Sequence, residues 1–407
     1  MLRRLLLVCV AAVLAAASAQ DLVVYTSVDE ENARKLLDAF TADTGIRVQM
    51  VFLSSGPALS RIEAERARPQ ADVWFGAPSE NHIVAKERGL TQAYRVQEAD
   101  ALPDEFKDPD GFWHAIYMNP MSVGVRTDIL EQRGAPVPST WQDLLDPAYS
   151  GLIQMPSPQA SGTAYNLVLT LRAIMGEDAA FEFMRQLDAN VQTYTQSGTA
   201  PSGALGVGET AVAIQFSPGF LRLIDEGFPV QIVFPAEGVG YEVAAMSILQ
   251  GARNLENARA LADWMTSQAG QQALSAQQTY FMPIRPDVSA GEGVPSLDTI
   301  NLVSFDPQEA ASERQRLIDR WVEEVLGQRH VFVVERVPAG YAHLVRVLRM
   351  VLERDDAPPG DDHPPRGQRG QPLGEGLLVE RRLLRHRVEV RRVYPVVPVA
   401  AEVVPPE

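Results

Sequence analysis

The sequence predicts an α/β protein made of two lobes with a cleft between them. Short apolar runs, typical of buried parallel strands, alternate with longer segments whose apolar residues recur at helical spacing. This alternation occurs twice, and an apolar stretch at 118–126 separates the two occurrences. A hydrophobic content of 46% is sufficient for a substantial core, and the composition excludes collagen, disulfide scaffolds and wholesale disorder.

The first 19 residues have the pattern of a secretory signal peptide. Arg3 and Arg4 precede an apolar run at 5–14, and Ala17-Ser18-Ala19 forms a small-residue cleavage site. The only cysteine, Cys9, lies in this segment. We therefore expect a soluble, periplasmic or otherwise extracytoplasmic protein that has neither disulfides nor thiolate metal sites once the signal is removed.

Residues 331–407 differ in composition from the rest of the chain. These 77 residues lack Ser, Thr, Asn, Ile, Lys and Trp, and they hold 10 of the 29 prolines and 12 of the 33 arginines. Two explanations stay open: a frameshifted or read-through extension, or a genuine, disordered Pro/Arg-rich tail. We assign this segment no function.

The intervening segment, 20–330, is more acidic than the whole chain. The complete sequence carries a formal charge of −16, of which the signal peptide contributes +2 and the tail +1, so residues 20–330 carry −19. Nucleic acids and anionic membranes require a basic surface, so neither is expected as a partner. We expect a monomer.

The first lobe is predicted at 20–118 together with 245–330. Its alternating strands and helices predict a parallel sheet with right-handed crossover connections. The strands are predicted at 22–25, 46–53, 72–75 and 244–249, and the helices at 29–41, 57–67, 79–88, 256–267 and 270–274.

The second lobe is predicted at 119–244, so the chain crosses between the lobes twice. We expect a hinge at these crossings, near 119–123 and 237–241, and a ligand cleft between the lobes. The strands are predicted at 152–155, 191–194, 211–216 and 230–234, and the helices at 141–145, 163–175 and 179–187.

Three loops at predicted strand ends combine hydroxyl groups with a glycine and a helix start. We refer to 54–56, 161–163 and 197–199 as the first, second and third hydroxyl loops. Such loops suit an anion, because free N–H groups and the positive helix end attract it while hydroxyls orient it. Ordinary helix capping is the alternative explanation. The candidate ligand-binding residues are Ser54, Ser55, Gly56, Ser161, Gly162, Thr163, Ser197, Gly198 and Thr199, with Ser27 as a weaker candidate.

The segment 234–241 contains two further candidates. Glycines indicate that the chain bends here after a strand. At this bend, Glu237 could accept a hydrogen bond from a ligand, and Tyr241 could close the cleft. Alternatively, the segment is simply the second crossing between the lobes, with a solvated glutamate.

Signatures of catalysis and metal binding are poor. His82, His114 and His330 are the only histidines in 20–330, and neither an HExxH motif nor a GxSxG motif is present. The glycine-rich stretch 203–208 lacks the Lys-Ser/Thr pair of a P-loop. We therefore expect no catalytic residue, metal or cofactor, and a secreted α/β hydrolase is the competing class.

Taken together, these motifs resemble a type II periplasmic solute-binding protein of an ABC importer, in the branch that contains ferric-iron, sugar-phosphate and phosphonate binders. The resemblance covers most of 21–328. It implies a two-lobed fold that closes on a small solute and docks onto membrane permease subunits. It rests on 24–27, 54–56, 61–65, 71–74, 194–198 and 237–242.

One departure from this family concerns the ligand. Iron-binding members carry adjacent tyrosines, and sugar-phosphate members often a His-Asp pair, where this chain has Ser217-Pro218-Gly219. No phenolate is therefore available there to hold Fe(III), whereas the hydroxyl loops remain. We expect a small anionic solute, phosphorylated or phosphonate-like, and a ferric-iron-binding transport protein is the alternative.

Overall fold

Ten strands form the framework of residues 21–327, the part of the chain that the computed structural model describes. The predicted signal peptide and tail lie outside these residues. The strands are β1 (Leu22–Thr26), β2 (Val48–Phe52), β3 (Val73–Pro78), β4 (Thr91–Gln92), β5 (His114–Arg126), β6 (Ile153–Pro156), β7 (Val191–Thr195), β8 (Val212–Phe216), β9 (Val230–Val233) and β10 (Tyr241–Leu249).

Eleven α-helices in the same range connect and cover the strands. None of these helices is long and apolar enough to span a bilayer. They are α1 (Glu30–Thr44), α2 (Ser55–Ala64), α3 (Ser79–Glu87), α4 (Thr127–Arg133), α5 (Gly162–Met175), α6 (Glu177–Asp188), α7 (Ala200–Gly206), α8 (Pro218–Asp225), α9 (Leu255–Thr266), α10 (Gln268–Ala276) and α11 (Pro307–Trp321).

The strand order is β2-β1-β3-β10-β5-β8-β6-β7, with β4 pairing to β10 and β9 to β5. The first half of β5 pairs with β10 as far as Pro120, and from Met121 onward β5 pairs with β8. β10 begins at Tyr241, directly opposite Pro120. One 13-residue strand therefore belongs to both halves of the molecule, which confirms the α/β class.

Two principal hydrophobic cores lie on either side of this crossing. One contains Leu36 and Phe40 of α1, and the other contains Trp141 and Phe181. Helix α11 contacts residues of both halves: Ala311 packs in a cluster with α2 and α3, whereas Leu317 and Trp321 join the core around Trp141. The predicted lobe boundaries stay a prediction. The prediction assigns 245–330, and therefore α11, to the first lobe, but α11 packs against both halves of the fold.

Local sequence signals explain the ends of α1. Asp29 accepts a hydrogen bond from the N–H of Asn32 at the start of the helix. Gly45 ends it in the left-handed conformation, with φ of 74°, and donates its N–H to Thr41 O. The helix predicted at 29–41 is therefore present and extends three residues further.

Helix α2 begins at Ser55, two residues before the predicted start. The prediction placed Pro57 in the first turn and treated 54–56 as a separate loop, but Ser55 and Gly56 already have helical conformation. The helix ends at Ala64 instead of 67, and residues 65–67 form turns. The first hydroxyl loop is therefore itself the N-terminal turn of a helix.

A network of arginines around Glu177 holds α11 against α6. Arg316 donates to both carboxylate oxygens of Glu177, at 2.7 and 2.8 Å, and Arg320 donates to the same carboxylate at 2.7 Å. These charge-assisted bonds lower the pKa of Glu177 to about 2.

Replacing Glu177 with Gln should lower the free energy of unfolding by about 2 kcal/mol at pH 7, because charge-assisted hydrogen bonds are lost. The lowered pKa stabilises the fold above about pH 4.5, and this contribution is lost as the pH falls toward 2. Urea unfolding measures the change. Glu182→Gln on the same helix, where the glutamate is exposed, is the control with a small expected effect. Equal stability of the two variants at pH 7 would contradict the role of this network.

Candidate functional site

The three hydroxyl loops lie together in the structure. Across the cleft, Gly56 donates its N–H to Ala160 O at 3.1 Å, and Ser54 donates its hydroxyl to Gln196 O at 2.8 Å. The first loop thus contacts the residues immediately before the second and third loops. Segments that are more than 100 residues apart in the chain, and that belong to both halves of the fold, meet at one place.

Gly162 allows the first and second loops to approach closely. A β-carbon at this position would lie 2.9 Å from Ser55 Oγ and 2.7 Å from Pro78 Cδ, both closer than real β-carbon contacts. Pro78 is the last residue of β3, so the end of a parallel strand also borders the site. A larger residue at 162 would separate the two halves of the site.

Gly198 has the same role between the second and third loops. A β-carbon there would lie 2.8 Å from Ser161 Oγ and closer still to Thr163 Oγ1. Two hydroxyl oxygens therefore face the backbone of the third loop directly. This contact brings the hydroxyl-bearing residues of both loops within the reach of one small ligand.

The hydroxyls of the second and third loops also cap their own backbone. Ser161 Oγ accepts the N–H of Thr163 at 3.2 Å, and Ser197 Oγ accepts the N–H of Thr199 at 3.3 Å. Ordinary capping of the backbone therefore explains part of the role of these hydroxyls. As an acceptor, however, Ser161 keeps its own O–H proton available for a ligand, and helix α5 begins beside it with 14 residues of aligned peptide dipoles.

Ser27 lies at the end of β1, in the first half of the fold. Its hydroxyl donates to Leu53 O at 2.8 Å and accepts from Trp74 Nε1 at 3.0 Å. These bonds tie the ends of β1 and β2 to the indole of β3. The hydroxyl of Ser27 thus fixes the base of the first hydroxyl loop.

The carboxylate of Glu237 accepts backbone hydrogen bonds in this structure, and its predicted ligand contact stays a prediction. Its two oxygens accept the backbone N–H groups of Trp141 and Gln142, at 3.0 and 3.3 Å. The side chain therefore caps the short helical turn Gln142–Leu145.

Tyr241 lies at the crossing between the two halves. Its carbonyl accepts the side-chain N–H of Asn166 from α5 at 3.0 Å, and its half-buried ring packs against the core around Phe40. Burial raises the pKa of this phenol, with a smaller contribution from Glu105. Tyr241 is thus located at the predicted hinge, and its closing of the cleft stays a prediction.

Sequence reasoning missed a pair of buried polar residues at this crossing. Asn119 of β5 lies opposite Glu242 of β10 and donates its side-chain N–H to Glu242 Oε1 at 2.9 Å. Burial, with added repulsion from Glu80 and Asp29, raises the pKa of Glu242 to about 8. The partners are 123 residues apart, so no local spacing indicates the pair.

Glu80 is a second buried carboxylate near the crossing. It lies in the first turn of α3 and is 2% exposed. Burial raises its pKa to about 7, although the positive charge of Arg314 opposes this shift. The interior of the molecule thus contains two carboxyl groups that are readily protonated near neutral pH.

The two described histidines, His82 and His114, are packed side chains. The ring nitrogens of His82 lie 2.8 Å from Ser247 Oγ and 2.7 Å from Gly76 O, and burial lowers its pKa to about 4. Burial also lowers the pKa of His114 to about 4. Within 21–327, no group of three or more His, Cys, Asp or Glu side chains is arranged to hold a metal.

The stability of the ligand-free protein should decline between pH 6.5 and 8. Folded Glu80 and Glu242 keep protons that the unfolded chain has released above pH 4.5, so stability falls as the pH rises toward 8. His82 and His114, neutral when folded, oppose this fall only below their unfolded pKa of 6.5. Glu242→Gln should make the decline shallower.

Urea unfolding at several pH values between 6.5 and 8.5 measures this slope. Glu292→Gln, which changes an exposed carboxylate, is the matched control and should keep the wild-type slope. If Glu242→Gln declined as steeply as the wild type, Glu242 would not be a buried, protonated group.

Comparison with known proteins supports the same fold. The family model for bacterial extracellular solute-binding proteins matches residues 75–308. The structure of the periplasmic binding protein AfuA from Actinobacillus pleuropneumoniae, with fructose-6-phosphate bound, is 33% identical, with a TM-score of 0.73. The match covers 75% of this chain and 98% of AfuA.

Two further matches have other ligands in their names. A Salmonella typhimurium periplasmic protein, whose name describes it as 2-aminoethylphosphonate-binding, is 29% identical over 63% of this chain and 74% of its own. Iron-bound HitA from Pseudomonas aeruginosa is 20% identical with a TM-score of 0.64, over 74% and 98% of the two chains, and it shows the fold alone. The predicted resemblance is confirmed, and the chain belongs to the bacterial extracellular solute-binding protein family.

Proposed function

We propose that the protein is the substrate-binding component of an ABC importer and that it captures a small anionic solute with a phosphate or phosphonate group. The observation that carries this proposal is the convergence of three hydroxyl loops from both halves of the fold at the start of α5. The protein binds and delivers its solute without chemical change, as a soluble periplasmic monomer that takes no part in nucleic-acid binding.

The loops provide what a phosphoryl oxygen requires. Backbone N–H groups and hydroxyl protons donate hydrogen bonds, and the start of α5 adds a partial positive charge of about half a unit. These donors are neutral dipoles held in place by the fold, so the site can bind an anion without a lysine or arginine. A protein of acidic net charge can therefore bind an anion, because screening over about 8 Å weakens its long-range repulsion.

The relatives support this ligand class. AfuA was solved with a sugar phosphate and the Salmonella protein is named for a phosphonate, and both compounds present a phosphorus oxyanion. In this chain the hydroxyl loops are the residues that could bind such an oxyanion, whereas Glu237 caps a turn in this structure.

Closure of the two lobes over the solute is the proposed mechanism. Contacts across the cleft hold the closed form: Ser54 with Gln196 on one side, and an ion pair between Arg222 and Glu31 on the other. Hinge bending near 119–123 and 237–241 would break and form these contacts. The closed form would then dock onto membrane permease subunits.

The two competing functions have less support. Ser217 precedes α8 where iron binders carry tyrosines, so no phenolate is present at that strand end. A hydrolase would need an accessible nucleophile and base, but the hydrogen-bonded pair of Ser247 and His82 is at most 2% exposed and lies inside the first half of the fold.

A thermal-shift screen of phosphates, phosphonates, sugar phosphates, carboxylates and ferric citrate, followed by calorimetry, tests the function. We expect a phosphorus oxyanion to raise the melting temperature, because a ligand of the native state stabilises it. Ser161→Ala and Ser197→Ala should each weaken binding of the best compound about tenfold. Unchanged affinity in both variants, or a coloured ferric complex, would contradict the proposal.

Gly198→Ala should abolish most of the affinity for the same compound, because the added carbon would push the third loop away from Ser161 and Thr163. Gly203→Ala, in helix α7, is the matched control, since nothing lies within 4 Å of its added carbon. The control should bind as the wild type does and gain about 0.5–1 kcal/mol in stability. Equal binding by the two variants would show that the loop contact is not part of the site.

A further inference from the structure

Glu242 has an unusual position for a carboxylate. It lies on β10 directly opposite Asn119 of β5, next to the point where β5 changes its pairing partner from β10 to β8. Both side chains are buried, with exposures of 7% and 1%. The carboxylate is therefore fixed at the junction of the two halves of the fold.

No cation of the described chain neutralises Glu242. Its one hydrogen bond to a described side chain comes from Asn119, and the charged groups that act on it are the carboxylates Glu80 and Asp29. Neither Arg222, which forms an ion pair with Glu31, nor Arg314, whose charge lowers the pKa of Glu80, is among the charged groups that act on Glu242. A buried carboxylate without a cation is costly and holds a proton instead.

An independent observation shows an unused acceptor beside this carboxylate and a second one at the same crossing between the halves. Asn119 Oδ1 is buried and has no hydrogen-bond partner, although the nitrogen of the same amide donates to Glu242. Asn166 Oδ1, from α5, is also buried without a partner, and its amide nitrogen donates to the carbonyl of Tyr241, next to Glu242. Buried acceptors are normally satisfied, so these two oxygens could accept hydrogen bonds from a ligand.

The separation between Asn166 and the hydroxyl loops suits a small molecule. Asn166 is one helical turn, or about 6 Å, along α5 from Gly162 of the second hydroxyl loop. An anionic group at the loops would therefore place the other end of a two- or three-carbon chain near Asn166, whose amide donates to the carbonyl of Tyr241, the residue before Glu242. A primary ammonium group has three donors and could serve Glu242 and the asparagine oxygens together.

We infer that the solute is a zwitterion, whose anionic end binds the hydroxyl loops and whose ammonium end binds Glu242 and Asn119. This inference rests on the proposed function and adds the second half of the ligand. The ammonium group takes the place of the proton on Glu242 and forms an ion pair that is shielded from water. Specificity then depends on both ends, because a ligand without the amine leaves the carboxylate and the asparagine oxygens unsatisfied.

Calorimetry with matched pairs of compounds tests the inference. The probes are 2-aminoethylphosphonate and 3-aminopropylphosphonate, each compared with the ethyl- or propylphosphonate that lacks the amine. The wild type should bind at least one amine compound about tenfold more tightly than its partner. Glu242→Gln should reduce this preference to less than about threefold, and Glu292→Gln should retain it.

Ser161→Ala provides the complementary measurement, because it should weaken binding of both members of a pair by the same factor. Melting temperatures confirm that each variant is folded. If Glu242→Gln is unfolded, Glu242→Asp makes the same comparison, since it withdraws the carboxylate by one methylene and should reduce the preference.

The outcomes separate the two proposals. Loss of the amine preference in Glu242→Gln supports the zwitterion. Equal wild-type binding of both members of each pair, or a preference that Glu242→Gln retains, overturns the zwitterion and leaves the anion site intact. Failure of the wild type to bind any phosphorus oxyanion overturns the proposed function, and the zwitterion inference with it.

Discussion

Strand β5 connects the two halves of the molecule through continuous hydrogen bonding, and the geometry of the site depends on it. Its first half pairs with β10 and its second half with β8 and β9, so any rotation between the halves must bend this strand and β10 near Pro120 and Tyr241. The hydroxyl loops are held by strands on both sides of that bend. The contacts of the first loop with the other two, through Gly56, Gly162 and Ser54, therefore depend on the relative orientation of the halves.

Much of the fold could be predicted because it depends on local patterns. The strands at the start of the chain, the helix capped by Asp29 and ended by Gly45, and the two crossings all have short-range signals in the sequence. The start of α2 could not be located in this way, because serine and glycine favour a loop. Only tertiary contact, through Gly56 to Ala160, makes these residues a helical turn.

In the candidate site, too, local features could be predicted from the sequence and long-range contacts could not. The hydroxyl loops could be found since each combines hydroxyls with glycine within three residues. The capping role of Glu237 could not be predicted because its partners, Trp141 and Gln142, are 96 and 95 residues away. Glu242 was missed because its significance depends on Asn119 in a neighbouring strand and on the absence of a nearby cation in the described structure, and sequence spacing encodes neither.

The acidity of the folded segment has a physical explanation in these two parts of the site. The hydroxyl loops proposed to bind the anion would do so through neutral dipoles, so they place no demand on net charge and need no basic residue near them. A ligand with two opposite charges is neutral at long range, and an acidic protein neither attracts nor repels it strongly. Ligands are then distinguished only at contact distance. There, a ligand that leaves the buried carboxylate unpaired binds at a high cost, and a ligand that pairs with it is selected. On this view the charge of Glu242 selects the ligand, and the −19 of residues 20–330 is a property of the surface.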